Sequence, residues 1–301
     1  MPHAADRAIS EPMQRLVARA PAKVNLTLRI LRRRPDGFHD LASIVAFAGA
    51  CDVVTLESDA PLGLAVAGPS AAAAGPDADN LILRAADAFA RHVPGARLGR
   101  FTLTKRLPVA AGIGGGSSDA AAALRLLAQI NDIALNDPRL HAAAREVGAD
   151  VPVCLDPQAR IMEGIGERLS EPLGLAPLFA VLVNCRVPVP TADVFRTLGL
   201  RAGEDLAGLP HEAPMSTGRA AVMRHLALHG NDLEPPAETV APEITRVKAM
   251  LAQEPEVRLV RMSGSGATVF ALTDDCRAAA QVARRVAAAE PGWWVRPTVL
   301  R

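Results

Sequence analysis

Apolar and polar residues alternate along much of the first hundred positions, and this alternation is typical of half-buried β-strands. From Val24 to Ile30, apolar side chains take every second position, with Asn, Thr and Arg between them. We therefore predict one strand over residues 15–31. Apolar runs of strand length predict the remaining strands over residues 41–48, 53–57, 101–105, 179–183, 258–261 and 267–272.

Helical signals separate these runs. Asn80 stands where it can cap a helix that extends to about residue 90. An Ala-rich helix is predicted over 118–129, and another over 138–147 that stops at Gly148. The second half predicts helices over residues 219–228, 242–253 and 276–289. The mixed order of strands and helices predicts an α+β protein.

We expect this α+β chain to form two lobes, because 301 residues are enough for about two domains. The predicted boundaries give an N-terminal lobe over residues 16–158 and a C-terminal lobe over 159–301. Residues 1–15 are polar and mixed, and they are predicted to be a loose extension.

Composition excludes several classes of protein. Lys and Arg number 33 against 32 Asp and Glu, and aromatic residues make up 3%. This balance provides neither the positive field nor the stacking rings of a nucleic-acid-binding protein, and it gives no field for an anionic membrane. The four cysteines are far apart and lack a CxxC pair, so we predict neither a zinc site nor a disulfide framework. Free thiols are typical of a reducing compartment, and we therefore predict a cytoplasmic location.

Only three of the 33 basic residues are lysines, namely Lys23, Lys105 and Lys248. A chain this biased toward arginine keeps lysine preferentially where a compact ammonium group is needed. Chance can also leave three lysines. The bias therefore makes these lysines better candidates for functional residues, but it assigns none of them a role.

The strongest chemical signal is the glycine-rich segment from Pro108 to Asp119, which enters the Ala-rich helix. Glycine lets backbone N–H groups approach a ligand, and the helix N-terminus adds free N–H groups and a positive dipole end. Together they predict a phosphate cradle, in which Ser117 and Ser118 can cap the helix, donate to phosphate or reach a magnesium ion. The segment matches neither the Walker A loop nor GxGxxG. A flexible linker is the alternative, but a linker would not run directly into an apolar helix.

Four further positions carry weaker signals. Asp150 follows a helix stop and precedes an apolar segment predicted to be a strand; it can accept a substrate proton, although such an Asp alone is more often a solvated turn residue. Lys23 begins an apolar strand and can pair with a carboxylate, or simply reach solvent. His39 can recognise a heterocycle or serve the structure. Residues 263–266 form a second glycine loop or a plain hairpin turn.

Taken in order, these segments resemble the small-molecule kinases of the galactokinase, homoserine kinase, mevalonate kinase and phosphomevalonate kinase superfamily. The resemblance implies a two-lobed small-molecule kinase fold with the active site in the cleft between the lobes. The motifs that carry it are Ala20–Leu26, Asp36–His39, Lys105–Asp119, Gly148–Pro152 and Met262–Ala267, with smaller matches at Asn80–Ile82, Glu163–Gly166, Pro190–Phe195 and Asn231–Glu234.

The motifs Gly37-Phe38-His39 and Pro190–Phe195 narrow the resemblance to the branch that phosphorylates a cytidine diphosphate alcohol of the non-mevalonate isoprenoid pathway. The resemblance implies ATP as co-substrate, with Mg²⁺, and transfer to the 2-hydroxyl of a methylerythritol unit. It implies that Lys23 and Asp150 stand beside that hydroxyl. The implied ATP-binding residues are Asn80, Lys105, Pro108, Val109, Ala110, Ala111, Gly112, Ile113, Gly114, Gly115, Gly116, Ser117 and Ser118.

On the acceptor side, the resemblance implies that His39 reads the cytosine and that the rings of Phe38 and Phe195 bracket it. Asn25 and Thr191 are implied to belong to the same acceptor site. The family usually has Tyr where this chain has Phe38, so a hydrogen bond from that hydroxyl is absent here. Two alternatives stay open: another kinase of the superfamily, of the homoserine or mevalonate type, and a nucleotide-dependent sensor on the same scaffold.

Overall fold

The structure, a computed structural model, describes residues 15–58, 60–75, 79–206 and 216–301. The predicted extension therefore lies outside the described residues except for Arg15, which begins the first strand. The helices are α1 Leu81–His92, α2 Gly115–Ile130, α3 Pro138–Val147, α4 Val151–Leu155, α5 Thr191–Leu198, α6 Arg219–Leu228, α7 Glu234–Val240, α8 Glu243–Ala252 and α9 Cys276–Ala289.

The strands of the described chain join into one sheet around a long central member. Their bounds are β1 Arg15–Asn25, β2 Arg29–Arg33, β3 His39–Ser58, β4 Gly63–Ala67, β5 Gly99–Thr104, β6 Arg160–Gly164, β7 Arg168–Leu169, β8 Leu178–Asn184, β9 Val257–Met262, β10 Thr268–Thr273 and β11 Trp294–Leu300.

The N-terminal strands differ from the prediction in two ways. The single strand expected over 15–31 is two strands, β1 and β2, because the chain breaks at residues 26–28. The two strands expected over 41–48 and 53–57 are one, β3, which runs 20 residues. This length lets β3 pair in turn with β1, β2, β5, β6 and β11, so its apolar character serves several neighbours along its course.

The helices follow their sequence signals closely. Asn80 caps α1, and its side-chain oxygen accepts the Ile82 N–H at 3.0 Å. The predicted helices over 138–147, 219–228 and 276–289 have those bounds in the structure. Strand β11 was not predicted, because Arg296 and Pro297 interrupt its apolar pattern, yet it pairs with β8 along its whole length.

Two buried clusters flank the sheet and a third joins them. The first packs α1, α2, α3 and α4 against β1, β3 and β5, and the second packs α7, α8 and α9 against β8 and β10. The third, around Leu26, Ile44 and Phe270, links strands of both regions. No helix of the described residues has the length and apolar character needed to cross a membrane. The four cysteines are free thiols.

Candidate active site

The glycine-rich segment wraps around the N-terminus of α2. The helix begins at Gly115, three residues before the predicted start, and Gly114 precedes it with a φ of 58°. Gly112 also has a positive φ, and a Cβ there would lie 2.5 Å from the Ser263 carbonyl oxygen. Glycine is therefore required where the two glycine loops touch back to back. The Ser263 hydroxyl strengthens this contact by donating to the Gly112 carbonyl at 2.9 Å.

Lys23 and Asp150 form an ion pair beside this loop, with Nζ and Oδ1 2.9 Å apart. The Lys23 side chain is 4% exposed and that of Asp150 is 37% exposed. The Lys23 N–H donates to the Ile113 carbonyl at 2.9 Å, which fixes β1 to the loop. The Lys23 ammonium group is thus buried beside the loop, whereas the Asp150 carboxylate opens into a cleft.

The segment after Asp150 is the short helix α4, so the strand predicted there is wrong. Its five residues, Val151 to Leu155, are all buried, and such a short apolar run fits a strand or a buried helical turn equally well. Pro152 decides the outcome, because proline is favoured in the first turn of a helix and cannot donate to a sheet.

A second buried ion cluster lies on the other side of α2. The Lys105 ammonium donates to Asp52 at 2.7 Å and to Asp119 at 2.5 Å, and all three residues are buried. Asp52 also accepts the backbone N–H groups of Arg106 and Leu107 at 2.5 and 2.8 Å. Burial raises the pKa of Asp119 to about 8, even with the Lys105 ammonium beside it.

Three cavities follow one another along the loop. The side cavity, of about 200 Å³, is lined by Asn80, Lys105, Pro108, Val109 and Asp119, among others. The loop cavity, of about 440 Å³, shares Ala110, Gly115 and Gly116 with it and is lined by Lys23, Asn25, Ala111, Gly112 and Gly114. The outer cleft, of about 980 Å³, is lined by Phe38, His39 and Arg33.

Asp150 lies where two of these cavities meet. It lines both the loop cavity and the outer cleft, together with Ser117, Thr191 and Phe195. A molecule in the outer cleft and another over the glycine loop would therefore approach each other at this carboxylate. The structure brings Lys23 and Asp150 together at this shared wall.

The outer cleft contains an aromatic wall. The rings of His39 and Phe195 stack with centroids 4.4 Å apart, and Phe38 is 58% exposed beside them. His39 Nε2 is buried and has no hydrogen-bond partner. Burial lowers the pKa of His39, and the nearby Arg33 guanidinium lowers it further, so the ring is neutral at pH 7 and offers one donor and one acceptor.

Two of the remaining predicted residues, Asn25 and Thr191, have hydrogen-bond partners within the protein. The Asn25 amide donates to the Ser43 hydroxyl at 2.7 Å, and the Thr191 hydroxyl lies 2.8 Å from that of Ser265. Ile113 and Ser118 are buried and line none of the three cavities. The Ser118 hydroxyl nevertheless has no partner, at the first turn of α2.

Sequence reasoning missed three residues of this region. Asp52 is 53 positions from Lys105, and it falls between the two strands predicted over 41–48 and 53–57. Asp119 ends the Lys105–Asp119 motif, but the sequence analysis predicts no role for it. Arg33 received no role, although it lines the outer cleft and lowers the pKa of His39. An aspartate in an otherwise apolar strand is the signal that could have identified Asp52.

Family models match both halves of the chain: the GHMP kinases N terminal domain over residues 80–156 and the GHMP kinases C terminal domain over 216–292. A 4-diphosphocytidyl-2-C-methyl-D-erythritol kinase from Azorhizobium caulinodans is 99% identical over 289 residues, covering 96% of this chain and all of that protein. The kinase of the same name from Xanthobacter autotrophicus is 69% identical, with 96% of this chain and all of that protein covered.

Among solved structures, a 4-(cytidine 5'-diphospho)-2C-methyl-D-erythritol kinase superposes with a TM-score of 0.76 at 34% identity. The superposition covers 94% of this chain and 99% of that one. The glycine loop, the cleft and the full-length similarity agree, and the chain belongs to the 4-diphosphocytidyl-2-C-methyl-D-erythritol kinases, within the GHMP kinase family.

Proposed function

We propose that the three cavities form one continuous site for phosphoryl transfer, with Asp150 at the point of transfer. The chain is an ATP-dependent kinase of the non-mevalonate isoprenoid pathway, which sets aside the homoserine, mevalonate and sensor alternatives. The observation that carries the residue assignment is the shared wall: Asp150 faces both the loop cavity and the outer cleft.

ATP occupies the side and loop cavities in this proposal. The nucleoside lies beside Asn80 and Lys105, and the phosphates lie over the loop from Pro108 to Ser118. Backbone N–H groups at the start of α2, with the helix dipole, stabilise the phosphate charge. Phosphoryl transfer requires mainly positioning and charge stabilisation from the protein, and a rigid loop supplies both.

Magnesium is proposed to accompany ATP. Ser117 lines the loop cavity beside Asp150 at the phosphate end of α2, and a hydroxyl oxygen is a ligand that Mg²⁺ accepts. The described residues contain no cluster of three or more acidic, His or Cys side chains that could hold a metal alone. Phosphate oxygens and water would therefore provide most of the coordination, and the ion would neutralise charge on the phosphates.

Asp150 is proposed to orient the acceptor hydroxyl and to take its proton during transfer. Lys23 lies 2.9 Å from Asp150, where its positive charge holds the carboxylate in place and offsets charge on the moving phosphoryl group. Because Lys23 is buried and its backbone is bonded to Ile113, its ammonium group stays in place while ligands exchange.

The acceptor occupies the outer cleft in this proposal, as 4-diphosphocytidyl-2-C-methyl-D-erythritol, and receives phosphate on its 2-hydroxyl. His39 reads the cytosine, and Phe38 and Phe195 provide the aromatic contacts. Asn25 and Thr191 stand on the loop-cavity side, toward the methylerythritol end. The N-terminal lobe over 16–158 supplies the ATP side, and the lobe over 159–301 supplies Thr191 and Phe195.

An acceptor panel tests this assignment. The cytidine substrate should be phosphorylated much faster than its uridine analogue, because the wrong base leaves the polar groups of the site unpaired. His39→Ala should raise the KM for the acceptor far more than the KM for ATP. His141→Ala, on α3, removes a half-buried ring outside the cavities and is the matched control. Equal rates with both bases, or equal KM changes, would reject the role of His39.

A further inference from the structure

A fourth cavity lies outside the kinase site. This back cavity, of about 420 Å³, is lined by Arg19, Gly49, Ala50, Cys51, Val53, Arg106, Leu107, Trp294 and Arg296. None of these residues lines the side cavity, the loop cavity or the outer cleft. The family's chemistry assigns it no task, although its volume suits a small ligand.

The back cavity is strongly positive. Three arginines, Arg19, Arg106 and Arg296, line it, and its lining contains no carboxylate. Neutral groups hold two of the three: Arg19 donates to the Gly49 carbonyl at 2.7 Å, and Arg296 lies over the Trp294 ring at 5.8 Å. Their charges are therefore positioned without being neutralised, which is the arrangement that binds phosphate through forked, charge-assisted hydrogen bonds.

The floor of the back cavity is apolar and firm. Val53, Ala50, Leu107 and the Trp294 ring form part of its lining, and the Trp294 indole N–H donates to the Arg106 carbonyl at 3.1 Å. A ligand that combines a phosphate group with a short apolar part fits this surface, because the arginines take the charge and the floor takes the carbon atoms.

The back cavity and the ATP side share one strip of backbone. Arg106 and Leu107 line the back cavity, whereas Lys105 lines the side cavity. Asp52 ties the strip together, because it accepts from the N–H groups of Arg106 and Leu107 and from the Lys105 ammonium group. A displacement of Arg106 by a ligand would therefore be transmitted to Lys105.

We propose that the back cavity is a second binding site, for a small phosphate- or diphosphate-bearing molecule, and that its occupation changes the affinity of the enzyme for ATP. The binding part is independent of the proposed function. The coupling part rests on the placement of ATP over the glycine loop. Because such coupling is reciprocal, ATP also changes the affinity of the back cavity for its ligand.

Calorimetry on the full chain tests the binding part, with inorganic diphosphate and a short alkyl diphosphate as probes. A saturating non-hydrolysable ATP analogue keeps the probes from the glycine loop. We expect one probe per chain, bound at least tenfold more weakly by Arg106→Gln and by Arg296→Gln. Arg106→Gln keeps the backbone N–H that Asp52 accepts. Arg100→Gln, on β5 and outside all four cavities, is the matched control and should bind normally.

Each outcome of the titration has one meaning. Tighter binding of the alkyl diphosphate supports the site with an organic ester as its ligand, and equal binding supports it with the inorganic anion as its ligand. Absence of binding at saturating analogue, or equal affinity in wild type, Arg106→Gln and Arg296→Gln, overturns the proposal. Melting temperatures of the variants show whether each one is folded.

Steady-state kinetics test the coupling part. A fixed concentration of probe should change the KM for ATP by at least about fivefold more in the wild type than in Arg106→Gln. Competition at the glycine loop is present in both proteins and cancels in this comparison. Binding in calorimetry with equal KM changes in the two proteins would reject the coupling. A failure of the ATP placement would leave the calorimetric result unchanged.

Discussion

Two buried lysines flank the start of α2, and their surroundings differ. Lys23 has one carboxylate partner, Asp150, whose side chain is 37% exposed to the cleft. Lys105 has two, Asp52 and Asp119, which are 0% and 3% exposed. Both ammonium groups lie beside the same glycine loop, yet Asp150 lines the outer cleft and Asp52 and Asp119 do not.

We infer from this difference that the Lys23–Asp150 pair is reactive and that the Lys105 cluster is structural. A carboxylate that opens into a cleft can exchange its partner for a substrate hydroxyl. A carboxylate that is fully enclosed can only hold what surrounds it, and its loss leaves an unpaired buried charge. We therefore expect changes at the open pair to alter turnover, and changes at the closed cluster to alter stability and ATP binding.

The largest expected effect is at the open pair. Asp150→Asn keeps the shape of the side chain but removes the proton acceptor, so kcat should fall by about 10²–10⁴. Lys23→Ala should act in the same direction. Asp150→Asn should stay folded, because the amide oxygen of Asn can still accept from the buried Lys23 ammonium group and the side chain is partly solvated. The measurement is kcat under saturating substrates, with a melting curve for each variant.

Asp156→Asn is the control for this prediction. Asp156 ends the same helix α4, its side chain is 48% exposed, and it pairs with Arg160 outside the three cavities. Its turnover should stay near the wild-type value. Near-normal turnover in Asp150→Asn would remove Asp150 from the mechanism and make the two pairs equivalent.

The next effect is at the loop, on the side of the closed cluster. A Cβ on Gly115 would lie 3.3 Å from the Lys105 ammonium nitrogen, and a valine fills more of the phosphate cradle. Gly115→Val should abolish ATP binding and leave binding of the cytidine substrate largely unchanged. Gly292→Val, where a Cβ meets no atom within 4 Å, is the control. Loss of both ligands together would indicate misfolding instead.

The sequence predicted the open pair better than the closed cluster, for a physical reason. The open pair and the glycine loop belong to short sequence motifs. The order of residues within such a motif is enough to predict a site. Asp52 meets Lys105 only through the pairing of β3 with β5, where Val53 lies opposite Thr104. Such a contact depends on the register of distant strands, which residue patterns do not specify.

The same distinction holds for the fold. Helix α1 was predictable because its cap is local, in the bond from Ile82 N–H to Asn80. Strand β11 was not, because Pro297 is disfavoured in a paired strand. The pairing of β11 with β8 joins residues that are far apart in the sequence, so no local pattern announces it. Local chemistry was visible in the sequence, and long-range pairing was not.

A stability change is the third expected effect. Asp52→Ala leaves two backbone N–H groups and part of the Lys105 charge without a partner in a buried region, so the free energy of unfolding should fall by about 3–5 kcal/mol. Asp274→Ala removes an exposed partner of Arg258 and should cost less than about 1 kcal/mol. Urea denaturation measures both. Equal losses in the two variants would contradict the enclosed character of the cluster.

The last expected effect is a change in pH dependence. Burial raises the pKa of Asp119 to about 8 from an ordinary value of 3.8, so the folded state favours the protonated acid. The resulting stability is complete below about pH 4 and is lost as the pH rises toward 8.

Asp119→Asn cannot ionise, so its free energy of unfolding should lack this loss. Urea denaturation of both proteins at several pH values between 5 and 8 isolates the effect, because every other titrating group is shared. The stability of the wild type relative to Asp119→Asn should decline steadily over this range. A difference that stays constant with pH would mean that Lys105 keeps Asp119 ionised in the folded protein, and that the closed cluster is as fully charged as the open pair.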